Sequence, residues 1–323
     1  MKLGFFTMPI HPVGKDWRQC LREDREAFLL ADELGYCEAY TGEHSTDLAE
    51  NITSCTMFLS SLAGQVKQIT LGTGTVNMPN THPARVAAEI AMLDHMLDGK
   101  FIMGISPGGL LSDAEVFGNL GKNRNEMFLE SINAVLQIWS SEPPYNIDLP
   151  DNRFKVGTRQ TQIPEIGRGI LMKPYQKPLP EIVGTVVAPL SKGVIAMGQR
   201  DFHPMSANFL LPHWLNSHWD NYTQGKSLAG QTARNTDWRV ARTIFVADDS
   251  ATAQRYGRSD PRSPYRYYYR QMLTKMMISK RHVIFKKHAD EDDRHVTLDR
   301  LLDELVICGT VNEVVDQILA LRE

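Results

Sequence analysis

The sequence predicts a (β/α)8 TIM barrel, on three observations. Short apolar strands alternate with amphipathic helices along the 323 residues, with strand starts near 3, 36, 69, 100, 181, 204 and 238. Each strand is followed by a helix, the pattern of a parallel sheet rather than of hairpins. The chemically distinctive residues fall where strands run out into loops, which is where a barrel carries its function. A chain of this length could be two domains at ~100–200 residues each, but an α/β barrel of this size forms one. Residues 1–323 are therefore read as a single domain.

In chain order, residues 3–8 (LGFFTM) are a short buried strand stopped by Pro9 and Pro12. Residues 17–34 place Leu21, Ala27, Phe28, Leu30, Ala31 and Leu34 at helical spacing, and Gly35 ends that helix. A strand at 36–41 delivers Glu43 and His44 to its end, and 51–65 reads as helix. The clearest βαβ unit spans 69–109. Residues 69–78 are β-branched and apolar, Pro83 suits a first helical turn, 84–97 carries an apolar stripe, and 100–106 is the next strand. Asp94 and His95, within that helix, read as an exposed pair. After a helix at 123–140, residues 142–180 break the rhythm with prolines and glycines. They keep Phe154, Ile163, Ile170 and Leu171 to bury, so they read as an excursion inserted between the fourth helix and the fifth strand. Strands are expected at 181–187, 204–210 and 238–247, helices at 191–197 and 214–228, and Asp248 as the next N-cap. No eighth strand is evident before the helix at 311–321, so the last strand and helix are expected to be missing from the chain.

Composition is that of an ordinary globular protein, 42% hydrophobic and 23% charged. A net charge of −3 gives no pull toward nucleic acid or anionic membrane. Basic residues between 255 and 287 are interleaved with tyrosines; a solvated, mobile segment is the reading preferred to nucleic-acid binding. Four cysteines without CxxC spacing point to a reducing compartment and no structural metal. No signal peptide or membrane-length segment opens or interrupts the chain, so a cytoplasmic location with no membrane partner is expected.

The strand ends select His11, Glu43, His44, Asn77, Ser106 and the run from Pro189 to Gly193. His44 beside Glu43 fits a general base or a hydrogen-bond donor, and equally a histidine capping its loop. Ser191 opens a helix whose free amides suit phosphate, and equally serves as a plain N-cap. His213 and His218 are five apart and share no helix face, so a metal site is not expected. There is no GxSxG elbow, Walker loop or GxGxxG fingerprint.

Six stretches in order resemble the bacterial luciferase-like flavin-dependent monooxygenases, and most closely their limonene and diketocamphane branch. They are KLGFFTMPIHP (2–12), LGYCEAYTGEHST (34–46), ITLGTGTVNMPNTHPARVAAEIAMLDHMLDGKFIMGISPGG (69–109), KPYQKPLPEI (173–182), TIFVADDSATAQ (243–254) and VICGTVNEVV (306–315). The resemblance implies FMN across the barrel mouth, over a cis peptide matching Gly74–Thr75. It implies flavin contacts from Asn77 and Ser106, catalytic roles for His44 and Glu43, and phosphate contacts from Arg124, Leu190, Ser191 and Gly193. Pro107 stands where the family has a second arginine. Phe6, Met8, His11, Met78 and Leu110 would wall a substrate pocket, and 256–295 would be a mobile lid. The implied reaction inserts one oxygen atom from O2 into a small apolar substrate through a flavin C4a-(hydro)peroxide, by hydroxylation, epoxidation or Baeyer–Villiger oxidation. Reduced FMN would come from a separate NAD(P)H-dependent reductase. A homodimer through the helices near 51–65 and 83–97 is also implied. A deazaflavin (F420)-dependent oxidoreductase and a non-catalytic flavin-binding protein remain the alternatives.

Overall fold

The computed structural model describes residues 1–149 and 153–321, and the chain divides into two compact units, Met1–Gly184 and Thr185–Glu323. In the first, strands β1 (Gly4–Thr7), β2 (Glu38–Thr41), β3 (Thr70–Thr73), β4 (Val76–Asn77) and β5 (Phe101–Ser106) alternate with helices. The helices are α1 (Trp17–Glu33), α2 (Cys55–Ser60), α3 (Pro83–Met96), α4 (Leu111–Val116) and α5 (Arg124–Ser140). An antiparallel hairpin, β6 (Asn146–Asp148) with β7 (Lys155–Gly157), precedes β8 (Glu181–Val186). The pairs β1–β2, β2–β3, β3–β5, β4–β5 and β5–β8 are all parallel. This is the parallel, helix-covered sheet that the alternating pattern predicts.

Three expectations are corrected in this unit. The strand at 69–78 is interrupted by a cis Gly74–Thr75 bond, which separates β3 from β4. The helix at 51–65 shrinks to Cys55–Ser60, because Ser54 caps the amide of Met57 and fixes the start. The preceding residues are occupied otherwise: the carbonyls of Ala49 and Ile52 accept from the amides of His11 and His44. Asp94 is fully buried rather than exposed, and its carboxylate accepts from both the backbone and the side chain of Gln176.

The second unit contains β9 (His203–Ser206) paired in parallel with β10 (Arg239–Val240), and β11 (Thr243–Val246) paired in parallel with β12 (Val306–Gly309). Its helices are α6 (Gly193–Gln199), α7 (Leu215–Leu228), α8 (Ser250–Gln254), α9 (Pro264–Ile278), α10 (Leu298–Leu305) and α11 (Val311–Ala320). The expected strand at 238–247 breaks at Ala241–Arg242, where it changes partner from β9 to β12. Where the sequence reading finds no strand before the helix at 311–321, the structure has a further parallel βα step, β12 followed by α11. It escapes detection because α10 (ending at Leu305) runs directly into β12 (starting at Val306) with no glycine or proline turn to separate them. Asp249, not Asp248, caps α8, and α6 begins two residues later than its sequence suggests.

The segment 256–295 is not simply a solvated face. Tyr269 of α9 and Phe285 are fully buried in a cluster with Leu301, Leu302 and Leu305. Several of its basic residues meet acids: Arg266 with Asp299 at 2.7 Å, Arg258 with Asp303 at 3.6 Å, and Lys286 with Asp293 at 2.6 Å.

Candidate active site

The strand ends of the first unit carry a connected polar network. Glu43, just past β2, is half-buried, and desolvation of its carboxyl pushes it up from the ordinary carboxylate range. Its Oε1 accepts from the Asn77 amide (2.9 Å), and its Oε2 accepts from the amide (3.1 Å) and the thiol (3.2 Å) of Cys55. Asn77 returns a bond from Nδ2 to the Glu43 carbonyl at 3.0 Å. Glu43 thus ties the end of β2 to β4 and to the start of α2. Its place fits positioning better than the catalytic role expected for it.

From Asn77 the network crosses to β5. Ser106 Oγ donates to Asn77 Oδ1 (3.0 Å) and accepts from Thr75 Oγ1 (2.6 Å) and the Gly108 amide (3.2 Å). Arg124, the first residue of α5, donates from Nη1 to the Gly108 carbonyl at 2.9 Å. Among the described residues no carboxylate pairs with that guanidinium. Gly74, Thr75, Asn77, Ser106 and Arg124, expected separately as cofactor contacts, are therefore brought together.

His44 lies between two buried carboxylates. Its Nδ1 is 3.2 Å from Asp113 Oδ2 and its Nε2 is 3.1 Å from Glu50 Oε2. Burial alone would lower the imidazole pKa, but bonds and charge from Asp113 and Glu50 override it and raise it to about 9. Burial opposes ionisation of Asp113 as well, yet hydrogen bonds from His44 and Thr46 hold its carboxyl below the usual value. The Thr46 amide (2.9 Å) and hydroxyl (2.6 Å) both reach Asp113 Oδ1. His44 is consequently an imidazolium with both N–H groups engaged, so a free general base is not what this geometry offers. Neither carboxylate was found from sequence: Asp113 lies 69 positions from His44, and no motif spacing links them.

The pocket residues divide. Phe6 and Met8 are half-buried at the end of β1, against two glycines. A Cβ at Gly42 would lie 2.2 Å from Met8 Sδ and 2.6 Å from the Gly74 carbonyl, so only glycine admits this approach. Leu110 is half-buried before α4. Met78 is fully buried and presents no surface to a substrate. His11 turns to α1, its Nε2 2.9 Å from Asp24 Oδ1. Behind Glu43, a cavity of about 120 Å³ touches Ser54, Asn77, Asn80, Val86 and Ile90.

In the second unit, the Leu190 amide is already donated to Ser217 Oγ at 3.1 Å, which removes it as a free phosphate donor. Ser191 lies ahead of α6, whose N-cap is Lys192 and whose first residue is Gly193. Among the described residues no three His, Cys, Asp or Glu side chains form a group able to hold a metal ion.

Comparison with known proteins supports the same fold and chemistry. The chain is 27% identical to 4-hydroxyprotoasukamycin monooxygenase of Streptomyces nodosus subsp. asukaensis, over 100% of this chain and 82% of the relative. It is 26% identical to 2,5-diketocamphane 1,2-monooxygenase 1 of Pseudomonas putida, over 100% of this chain and 89% of the relative. Among solved structures it superposes on the oxygenating constituent of 3,6-diketocamphane monooxygenase from Pseudomonas putida, a type II Baeyer–Villiger monooxygenase in complex with FMN. The TM-score is 0.85 at 25% identity, covering 99% of this chain and 88% of that one. The profile of the luciferase-like monooxygenases matches residues 1–323, and the chain belongs to that family.

Proposed function

We propose that this chain is the oxygenase component of a two-component flavin monooxygenase. It takes reduced FMN from a separate NAD(P)H-dependent reductase and transfers one atom of O2 to a small apolar substrate, the other leaving as water. The observation that carries this is the network from Glu43 to Arg124. It ends in a guanidinium that donates to the Gly108 carbonyl and, among the described residues, meets no carboxylate, beside a shelf made by Thr75, Asn77 and Ser106. A cation without a carboxylate next to small polar groups fits a phosphate-bearing flavin. When bound, the flavin supplies the two electrons that oxygen activation requires.

The protein's own part is positioning and exclusion of water. Arg124 would hold the phosphate, and Thr75, Asn77 and Ser106 the ring. Phe6, Met8 and Leu110 would keep the reacting face dry. His44 keeps its protons on Asp113 and Glu50, and so orders the loop between β2 and α2 rather than exchanging protons with substrate. For the second unit we propose the Ser191 and Gly193 amides as anion contacts and 256–295 as a cover. Exposed Met57 on α2, with Met92 and Met96 on α3, support a homodimer face on those helices. Kinship with diketocamphane oxygenases favours a cyclic ketone and Baeyer–Villiger insertion.

The test is anaerobic binding of reduced FMN, then mixing with ¹⁸O2 in the presence of cyclic ketones and terpenes. One labelled oxygen in the product, with less hydrogen peroxide released than without substrate, is expected. Failure to bind reduced FMN overturns the reading.

Arg124→Met should weaken FMN binding about 10–100-fold, since a hydrogen bond to a charged group is worth about 1.5–3 kcal/mol. Lumiflavin, which lacks the phosphate, should bind both proteins equally. Equal losses for the two ligands would remove Arg124 from the phosphate.

A further inference from the structure

Three side chains of α7 hold the loop between β8 and α6 by its backbone. Ser217 Oγ accepts from the Leu190 amide (3.1 Å) and donates to the Trp214 carbonyl (2.6 Å). His218 Nε2 reaches the Ala188 carbonyl at 2.9 Å, and Asn221 Nδ2 donates to the Ser191 carbonyl at 3.0 Å. Between these anchors Leu190 adopts φ 53, a left-handed conformation that a leucine rarely takes. We propose that Ser217, His218 and Asn221 are positioning residues that latch this loop for an anionic ligand, and that protonation of His218 releases it. The ligand part rests on the flavin-phosphate reading of the loop above.

Hydrogen-bond bookkeeping around His218 fixes the latched state. The ring is fully buried. A carbonyl only accepts, so Nε2 carries the proton toward Ala188. Nδ1 must then accept from Ser206 Oγ at 2.8 Å, while that oxygen takes the indole N–H of Trp238 at 3.0 Å. Each atom has one role. A proton added at Nδ1 would turn a second donor on Ser206 and force the hydroxyl hydrogen away from its acceptor. Charge acts in the same direction. Burial holds the imidazole pKa below its ordinary value against the bond to the Ala188 carbonyl, and among the described residues the charge that adds to the lowering is Arg242, beyond β10. Arg242 itself is bonded to the carbonyls of Ala207 and Ala241. Ala188 and Ser206 contribute only neutral groups.

His218→Gln supplies a donor for Ala188 and an acceptor for Ser206 without titrating. Hydrogen exchange of a peptide spanning 187–195, corrected for intrinsic rates, would be followed from about pH 7.5 to about 5.5, across the ordinary histidine range. Wild-type protection should fall up to about tenfold per pH unit on the acid side, as one-proton linkage requires, and H218Q should stay flat. Asn221→Ala should raise exchange at every pH without adding a slope. A flat wild-type profile, or an H218Q profile that follows the wild type, overturns the latch. The ratio of FMN to lumiflavin affinity, measured over the same range, addresses the ligand. H218Q carries the phosphate's own titration, so the difference between the proteins isolates the loop. If exchange responds while that difference is zero, the latch stands and the phosphate assignment of the loop falls.

Discussion

His44→Ala is expected to destabilise the protein by about 3–5 kcal/mol near neutral pH, the range for removing one member of a buried ion pair. The reason is what stays behind. Asp113 and Glu50 are 2% and 4% exposed, and without the imidazolium both buried carboxylates lose the cation that bridges them. The deficit should shrink on acidification as those carboxylates take up protons, and denaturant titrations at neutral and mildly acid pH would show it. The wild type should change in the opposite direction on the alkaline side. A histidine raised from 6.5 to about 9 contributes stability that is full below about 6.5 and lost as pH rises through about 9. His44→Gln should lack that alkaline decline. Function should follow from the same geometry. The His44 amide bonds the Ile52 carbonyl, and its ring holds Glu50, so its loss frees the loop that leads into α2. Water should then reach the site, and His44→Ala should release more hydrogen peroxide per flavin oxidised. Unchanged stability and unchanged coupling would show that the cluster does not hold the loop.

The parts of this molecule legible in the sequence are those written in local pattern. The stripe of 17–34, Pro83 at a helix start and the apolar run 100–106 each specify one element, and α1, α3 and β5 fall where they do. What failed was set by contacts distant in sequence. The bond between His44 and Asp113 joins two loops that nothing local relates. Leu190 reads as a free amide until Ser217 arrives from α7. Met78 ends the strand expected at 69–78 and is placed on a pocket wall by resemblance, yet its burial is decided by packing around β4 and α5, where Ser131 bonds its carbonyl. The β12 strand was missed for the opposite reason: VICG is a good strand, but no turn residue separates it from α10. Glu43 is legible as a strand-end residue, but its bonds to Asn77 and Cys55 come from β4 and α2 and are not written in the local sequence.

Gly104→Ala should be the most damaging single-methyl change in the first unit. A Cβ there would lie 1.8 Å from the Thr73 carbonyl oxygen and 2.8 Å from its carbon, which are backbone atoms of the adjoining strand. No rotamer change relieves that overlap. Thr73 is held to the same residue twice, its Oγ1 donating to the Gly104 carbonyl and accepting from the Gly104 amide, both at 2.8 Å. On its far side the next amide, Gly74, bonds the Thr41 carbonyl at 2.6 Å, so β3 cannot shift without loosening β2. The cost should reach or exceed the upper end of the roughly 1–3 kcal/mol that overpacked cores lose. Gly109→Ala is the matched control, because nothing lies within 4 Å of its Cβ position; a change within about 0.5 kcal/mol is expected there. Denaturant unfolding of the two variants side by side decides the point, and equal stability would mean that β3 and β5 can separate freely. The functional consequence is more specific than instability. Thr73 leads directly into Gly74–Thr75 and the Thr75–Ser106 bond. A variant that keeps its helical content should therefore still lose flavin affinity, and lumiflavin should suffer as much as FMN. That pattern, opposite to the one expected for Arg124→Met, would separate the shelf beneath the ring from the cation at the phosphate.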